Sequence, residues 1–154
     1  MSKFNKIDTI SIIRSTGIVP VFYNKDAALT KKVVKACYDG GIRAFEFTNR
    51  GDGAHKVFEE LIAFVRENCP GMVLGAGTVL DAPTAALYIQ MGADFIVSPC
   101  IVDEIIPLAN RRGVPYSPGC GTVSEIVHAQ ERGCDLVKVF PAGTVGGPAF
   151  VKNI

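Results

Sequence analysis

The sequence predicts an α/β fold built on a parallel sheet, with a (β/α)8 barrel as the favoured architecture. Six short apolar runs of strand length alternate with longer amphipathic segments, and sixteen glycines and nine prolines punctuate the chain. The runs begin at residues 17, 44, 72, 95, 114 and 136, so successive starts lie only 19 to 28 residues apart. Such spacing is typical of tightly wound βαβ units. No shift of composition marks a second domain, and residues 1–154 are interpreted as one partial barrel domain.

The predicted elements follow one another from the N-terminus. Residues 1–10 are expected to form a short amphipathic helix, and their polar residues argue against a signal peptide. The predicted strands are Gly17–Tyr23, Ala44–Arg50, Met72–Val79, Phe95–Cys100, Val114–Cys120 and Leu136–Ala142.

Helix signals fill the intervals between these strands. They combine capping side chains at the start of a segment with glycine at its end. The predicted helices run from Asp26 to Gly40, from Gly53 to Asn68, from Asp81 to Gly92, from Asp103 to Gly113, and from a capping box at Thr122–Glu125 to Gly133.

Composition excludes several classes of function. Sixteen Lys and Arg against fifteen Asp and Glu give a formal charge of +1, so nucleic-acid or membrane-surface binding lacks its usual electrostatic basis. No stretch reaches the roughly 18–20 apolar residues of a membrane span. The five cysteines are dispersed, odd in number and without a C-x-x-C motif. Reduced thiols in a cytoplasmic protein are therefore expected, rather than a disulfide scaffold or a zinc site.

Glycine patterns help to separate an open doubly wound sheet from a barrel. Gly75–Leu80 (GAGTVL) has two glycines of a dinucleotide-binding turn but lacks the third, and it lies in mid-chain. Several strands instead end in polar residues, where barrel enzymes build their sites. The barrel is favoured, although six units do not close one, and eight would need roughly 200 residues.

The second predicted strand carries candidate chemistry. Alternation places Ala44, Glu46, Thr48 and Arg50 on one face, although strands of a parallel sheet are normally apolar on both. A carboxylate and a guanidinium that share a concave face can act as a general base and an anion holder. An internal ion pair at the barrel rim, or an edge strand with a wet face, is the structural alternative.

A single lysine interrupts the sixth predicted strand. Lys138 shares its face with Leu136 and Phe140. Such a lysine is often a snorkelling surface group. Beside Glu46 and Arg50, however, a neutral amine would be suited to form a Schiff base with a 2-keto acid, which needs no metal. The two histidines are not clustered, and both are expected at the surface.

Five motifs in order resemble the KDPG/KHG aldolase family, the 2-keto-3-deoxy-6-phosphogluconate and 4-hydroxy-2-oxoglutarate aldolases. They extend over almost the entire chain. The motifs are Gly41–Arg50, Gly75–Val79, Ile96–Pro99, Pro118–Gly119 with Thr122–Glu125, and Val137–Ala142.

The resemblance implies a class I aldolase that releases pyruvate together with glyceraldehyde 3-phosphate or glyoxylate. It implies a cytoplasmic enzyme of the Entner–Doudoroff pathway, without a cofactor and usually homotrimeric. By motif position, Lys138 corresponds to the Schiff-base lysine and Glu46 to the general acid/base.

The resemblance also implies substrate-binding residues. Arg50 and Thr78 match the positions that hold the pyruvate carboxylate, and Pro99 and Phe140 match positions that line the site. The sequence departs from the family at Asn49, where an apolar residue is frequent, and at Cys100, where glycine is common; a different pocket rim is therefore expected.

The chain ends early in the expected sixth helix, before the family's last two strands and its phosphate-binding loops. Gly143–Gly147 follows the sixth strand and offers backbone N–H groups, but it is not that phosphate site. The sequence therefore leaves three hypotheses open: an aldolase whose chain is incomplete, an inactive short domain that assembles with itself or another chain, and a phosphate-binding isomerase of the same barrel type.

Overall fold

A computed structural model of the chain describes residues 2–154 and contains one six-stranded parallel sheet. Its strand order follows the sequence, as in a barrel wall, so the predicted α/β partial barrel is confirmed. The strands are β1 (Val21–Phe22), β2 (Ala44–Thr48), β3 (Val73–Gly77), β4 (Phe95–Ser98), β5 (Tyr116–Cys120) and β6 (Lys138–Val139).

Helices connect successive strands, and these connecting helices cover the outer face of the sheet. Their ends follow the predicted capping residues closely, including the capping box of Thr122 with Glu125. The helices are α1 (Lys6–Thr16), α2 (Ala27–Asp39), α3 (Ala54–Asn68), α4 (Ala82–Met91), α5 (Ile105–Arg112), α6 (Val123–Glu131), α7 (Ala142–Val145) and α8 (Gly147–Asn153). None of the helices within residues 2–154 has the length and apolar character needed to cross a membrane.

The structure corrects the predicted bounds at both ends of the chain. The first helix begins at Lys6 rather than at Met1, which lies outside the described residues, because the Asn5 side chain accepts the Asp8 N–H and caps it. It continues to Thr16, where Gly17 adopts a left-handed conformation. At the other end, the predicted sixth strand is too long, since β6 stops at Val139 and α7 begins at Ala142.

The two faces of the sheet bury different side chains, as the alternation in β2 predicts. Phe45 and Phe47 point outward into the main core beneath the helices, where Phe47 packs against Phe58. Ala44 points inward and joins Phe95 in a smaller cluster that residues of α1 also contact. The inner face therefore has an apolar base, and polar side chains stand above it.

A buried carboxylate ties four elements together below this cluster. Asp94 is fully buried and accepts the Leu74 N–H at 2.8 Å, an Arg66 guanidinium N–H at 2.7 Å and the Ser2 hydroxyl at 2.6 Å. The Arg66 guanidinium also lies 5.6 Å from the centre of the Phe4 ring. This network fixes the N-terminal segment and α3 against the base of the sheet.

We expect Asp94→Ala to lower the free energy of unfolding by about 3–5 kcal/mol, because it leaves a largely buried guanidinium and a strand N–H without their partner. Urea denaturation followed by circular dichroism measures this change. Asp39→Ala is the matched control, since Asp39 pairs with Lys35 on an exposed helix face. Equal denaturation midpoints for the two variants would contradict the assigned role of Asp94.

Candidate active site

The carboxyl ends of the parallel strands surround a cavity of about 140 Å³. All six residues singled out from the sequence line it, and Val97 and Ser98 complete its wall. The six are Glu46 in β2, Arg50 just after it, Thr78 after β3, Pro99 after β4, Lys138 in β6, and Phe140 just after it.

Lys138 and Glu46 form the polar centre of this cavity. The Lys138 Nζ donates to Glu46 Oε1 and Oε2, each 3.3 Å away, across the concave face from β6 to β2. The Glu46 side chain is only 5% exposed and that of Lys138 is 32% exposed. Lys138 Nζ also lies 5.6 Å from the centre of the Phe140 ring. The amine therefore points into the cavity instead of snorkelling to solvent, and solvent still reaches it.

Arg50 supplies a second positive charge at the rim of the cavity. It follows β2, its side chain is exposed, and no ion pair to it occurs anywhere in residues 2–154. Glu46 thus pairs with Lys138, so an ion pair between Glu46 and Arg50 does not form. The guanidinium is available to hold an anion next to the Lys138 amine.

Thr78 enters the cavity through an unusual backbone conformation. With φ at 61°, it is the only non-glycine residue with a positive φ in residues 2–154. The chain is fixed on both sides, because Gly77 O accepts the Asn49 N–H at 2.7 Å and the Val79 N–H donates to Val97 O at 3.1 Å. A strained conformation held by its surroundings costs about 1–3 kcal/mol and is typical of ligand sites.

A buried hydroxyl network fixes the wall that carries Pro99. The Ser98 hydroxyl donates to Cys100 O at 2.5 Å and lies 2.6 Å from the Tyr116 hydroxyl, which accepts the Val102 N–H at 3.1 Å. Burial raises the pKa of Tyr116, so the phenol stays protonated at neutral pH. Sequence reasoning missed Ser98 and Tyr116 as supports of the site, although Ser98 stands inside a motif that it used.

The cysteines and histidines lie apart from this cavity. Cys69, Cys120 and Cys134 are buried and all five thiols are free. His55 is half-buried and His128 is exposed, with its Nε2 3.2 Å from Asp103. Within the described part of the chain, no three His, Cys, Asp or Glu side chains are placed to hold a metal ion.

Comparison with known proteins places the chain in a family. A model described as KDPG and KHG aldolase matches residues 9–154. The chain belongs to the KDPG and KHG aldolase family. The family resemblance seen in the five motifs is therefore confirmed.

Relatives of the family match the chain over most of its length. It is 37% identical to 2-dehydro-3-deoxy-phosphogluconate aldolase of Pseudomonas aeruginosa over 97% of the chain and 66% of that protein. It is 32% identical to KHG/KDPG aldolase of Escherichia coli K12, over 97% of the chain and 68% of that protein.

A solved structure of an aldolase is also similar to this chain. KDPG aldolase from Legionella pneumophila, with pyruvate captured at low pH as a covalent carbinolamine intermediate, matches with a TM-score of 0.83 and 28% identity. The match covers 94% of this chain and 68% of that one. The chain thus spans about two thirds of the length of these relatives.

Proposed function

We propose that the chain is a class I aldolase that binds 2-keto acids through a Schiff base at Lys138. One observation carries the proposal: the Lys138 amine lies 3.3 Å from both carboxylate oxygens of Glu46, in a cavity that Arg50 and Thr78 also line. A primary amine beside a carboxylate is the arrangement that carbonyl condensation needs. The aldolases to which the chain is similar support this chemistry, and the Legionella pneumophila structure holds pyruvate as a covalent carbinolamine intermediate.

The steps follow from the positions of these groups. Glu46 takes one proton from the Lys138 ammonium, and the neutral amine attacks C2 of the keto acid to give a carbinolamine. The Glu46 carboxylic acid returns that proton to the carbinolamine hydroxyl, which leaves as water and gives an iminium. The Glu46 carboxylate takes the proton of the C4 hydroxyl, the C3–C4 bond breaks, and its electron pair moves to the iminium nitrogen as the aldehyde leaves. Glu46 returns the proton to C3 of the enamine, and hydrolysis by one water releases pyruvate and the amine.

The proposed substrates are 2-keto-3-deoxy-6-phosphogluconate, 4-hydroxy-2-oxoglutarate, or both. The names of the similar enzymes and the family description support them. Cleavage assays with these two compounds and with the phosphogalactonate isomer would rank them. Borohydride reduction in the presence of pyruvate tests the shared half of the reaction. An unmodified chain after reduction would contradict the proposal.

We expect Arg50→Ala to raise the KM for the keto acid by about 10–100-fold, because it removes a charge-assisted hydrogen bond worth about 1.5–3 kcal/mol. The maximal yield of reduced adduct at saturating pyruvate should change little, since Lys138 remains. Arg14→Ala, an exposed arginine at the end of α1, is the control. If Arg14→Ala raised the KM as much as Arg50→Ala, Arg50 would not be the carboxylate holder.

An inactive, self-associating domain is a second candidate. One observation favours it: within residues 2–154, β1 and β6 each pair with a neighbour on one side only. Open strand edges promote association. A reduced pyruvate adduct on Lys138 would exclude the inactive form, whereas an assembled chain that forms no adduct would support it.

A homotrimer and a cytoplasmic location belong to the same proposal. Exposed apolar side chains such as Val123 and Val127, one turn apart on α6, support a surface that other copies cover. Light scattering coupled to size-exclusion chromatography would measure the oligomeric state.

A further inference from the structure

The backbone conformation of β3 does not require the two glycines on its inner face. Gly75 and Gly77 lie in a regular parallel strand, and neither has a positive φ. Glycine in a strand interior is costly and often marks a place where another group comes very close. Because the two residues are separated by one position, both face the concave side of the sheet that carries Glu46.

The space beside Gly77 is taken by the Glu46 side chain. A Cβ on Gly77 would lie 2.6 Å from Glu46 Cδ and 2.8 Å from Cγ, and closer still to Oε1. Ordinary contacts between carbon atoms are about 3.5–4.0 Å. These three Glu46 atoms are the nearest heavy atoms to that position, so any side chain at Gly77 must displace Glu46.

The register of the sheet shows why this space directs the carboxylate. Glu46 is paired with Gly75, and Gly77 is paired with Thr48, two residues closer to the carboxyl end of the sheet. The Glu46 side chain therefore leans over Gly77 toward the edge where the cavity opens. In that orientation both carboxylate oxygens reach Lys138 Nζ.

We propose that Gly77 is a positioning residue, whose missing side chain leaves the space through which the Glu46 carboxylate reaches Lys138. The proposal rests on the aldolase function proposed above. It assigns Gly77 a large effect on proton transfer at C3 and C4 by Glu46, and a much smaller effect on the ability of Lys138 to form the iminium.

Gly77→Ala should therefore separate the two steps. Lys138 should still give a borohydride-reduced adduct with pyruvate. Hydrogen exchange at C3 of pyruvate in D₂O should fall by about 10²-fold, the lower range for loss of general base catalysis. In this exchange Glu46 takes a C3 proton from the iminium, the electron pair moves to nitrogen, and the carboxylic acid, re-equilibrated with solvent, returns a deuteron. Proton NMR follows the exchange.

Gly75→Ala is the matched control on the same strand and face. A Cβ at Gly75 would overlap the Phe95 ring, whose atoms are the three nearest to that position. It should destabilise the fold through overpacking and leave the exchange rate per reduced adduct close to that of the parent chain. An exchange rate reduced equally by both variants would mean that Gly77 acts only through general packing, and the proposal would be wrong.

A double-mutant cycle tests the contact without relying on activity. Gly77→Ala should lower the Tm of the parent chain by about 4–8 °C. In the Glu46→Ala background it should lower the Tm by less than about 1 °C, because the Glu46 atoms that would overlap the new Cβ are absent. Gly75→Ala should lower the Tm equally in both backgrounds. A Gly77→Ala chain that folds only together with Glu46→Ala would support the proposal, whereas equal losses in both backgrounds, or failure to fold in both, would overturn it.

The two proposals can fail separately. A parent chain that gives no reduced pyruvate adduct overturns the aldolase function, and the catalytic part of this inference falls with it. A parent chain that gives the adduct and exchanges C3, with Gly77→Ala equally active, overturns the role of Gly77 alone.

Discussion

Lys138→Ala should abolish the borohydride-trapped pyruvate adduct and reduce aldol cleavage to the background rate. Its amine is the nucleophile of the proposed reaction and the atom that becomes the electron sink, and no other group lining the cavity is a primary amine. Intact-mass spectrometry after reduction measures the adduct as the mass of pyruvate less one water plus two hydrogens. Coupled assays of pyruvate release measure turnover.

The controls for Lys138 separate chemistry from folding. Both Lys138→Ala and Lys138→Met leave the buried Glu46 carboxylate without its partner, but Lys138→Met keeps an apolar stem of similar length and is therefore the second variant. Lys152→Ala removes an exposed lysine from α8 and should leave both readouts unchanged. An adduct that persisted in a folded Lys138 variant would show that another lysine forms the Schiff base.

The pattern of β2 predicts much of this site because alternation fixes which face each side chain shares. Phe45 and Phe47 lie in the outer core as predicted, and Glu46 faces the concave side. What alternation does not provide is the partner of Glu46. Lys138 is 92 residues away in the sequence, and it meets Glu46 only because the sheet curves until β6 faces β2 across the cavity.

Other parts of the site lie beyond sequence reasoning for physical reasons. The positive φ of Thr78 depends on the hydrogen bonds that hold Gly77 and Val79. The local sequence does not predict a positive φ at a threonine. Family resemblance alone pointed to this residue. The space at Gly77 depends on the side-chain conformation of Glu46, so a GAG sequence read by itself suggests a nucleotide turn instead.

The lengths of the strands are also not predictable from the sequence alone. The first and last predicted strands are each seven residues long, but β1 and β6 have two residues each. In the described structure both lie at an edge of the sheet and have a neighbour on one side only. Apolar runs indicate which residues can form a strand, whereas pairing decides how many of them do.

Glu46→Gln should lower kcat for aldol cleavage by about 10²–10⁴-fold, the usual range for loss of general acid–base catalysis. Glutamine has nearly the same shape and can still accept a hydrogen bond from Lys138, but it cannot take a proton from the C4 hydroxyl or return one to C3. Iminium formation should survive in part, so the yield of reduced pyruvate adduct should fall much less than kcat. Steady-state kinetics and intact mass measure the two quantities.

The control and the combination with Gly77 make this prediction specific. The control is Glu59→Gln, which changes an exposed carboxylate on α3 and should leave kcat unchanged. Parent-like turnover in Glu46→Gln would show that Glu46 takes no part in the mechanism. If Gly77 acts by directing the Glu46 carboxylate, adding Gly77→Ala to Glu46→Gln should cost little further kcat, because both changes remove the same proton transfer. Losses that multiplied instead would mean that the two residues act on different steps.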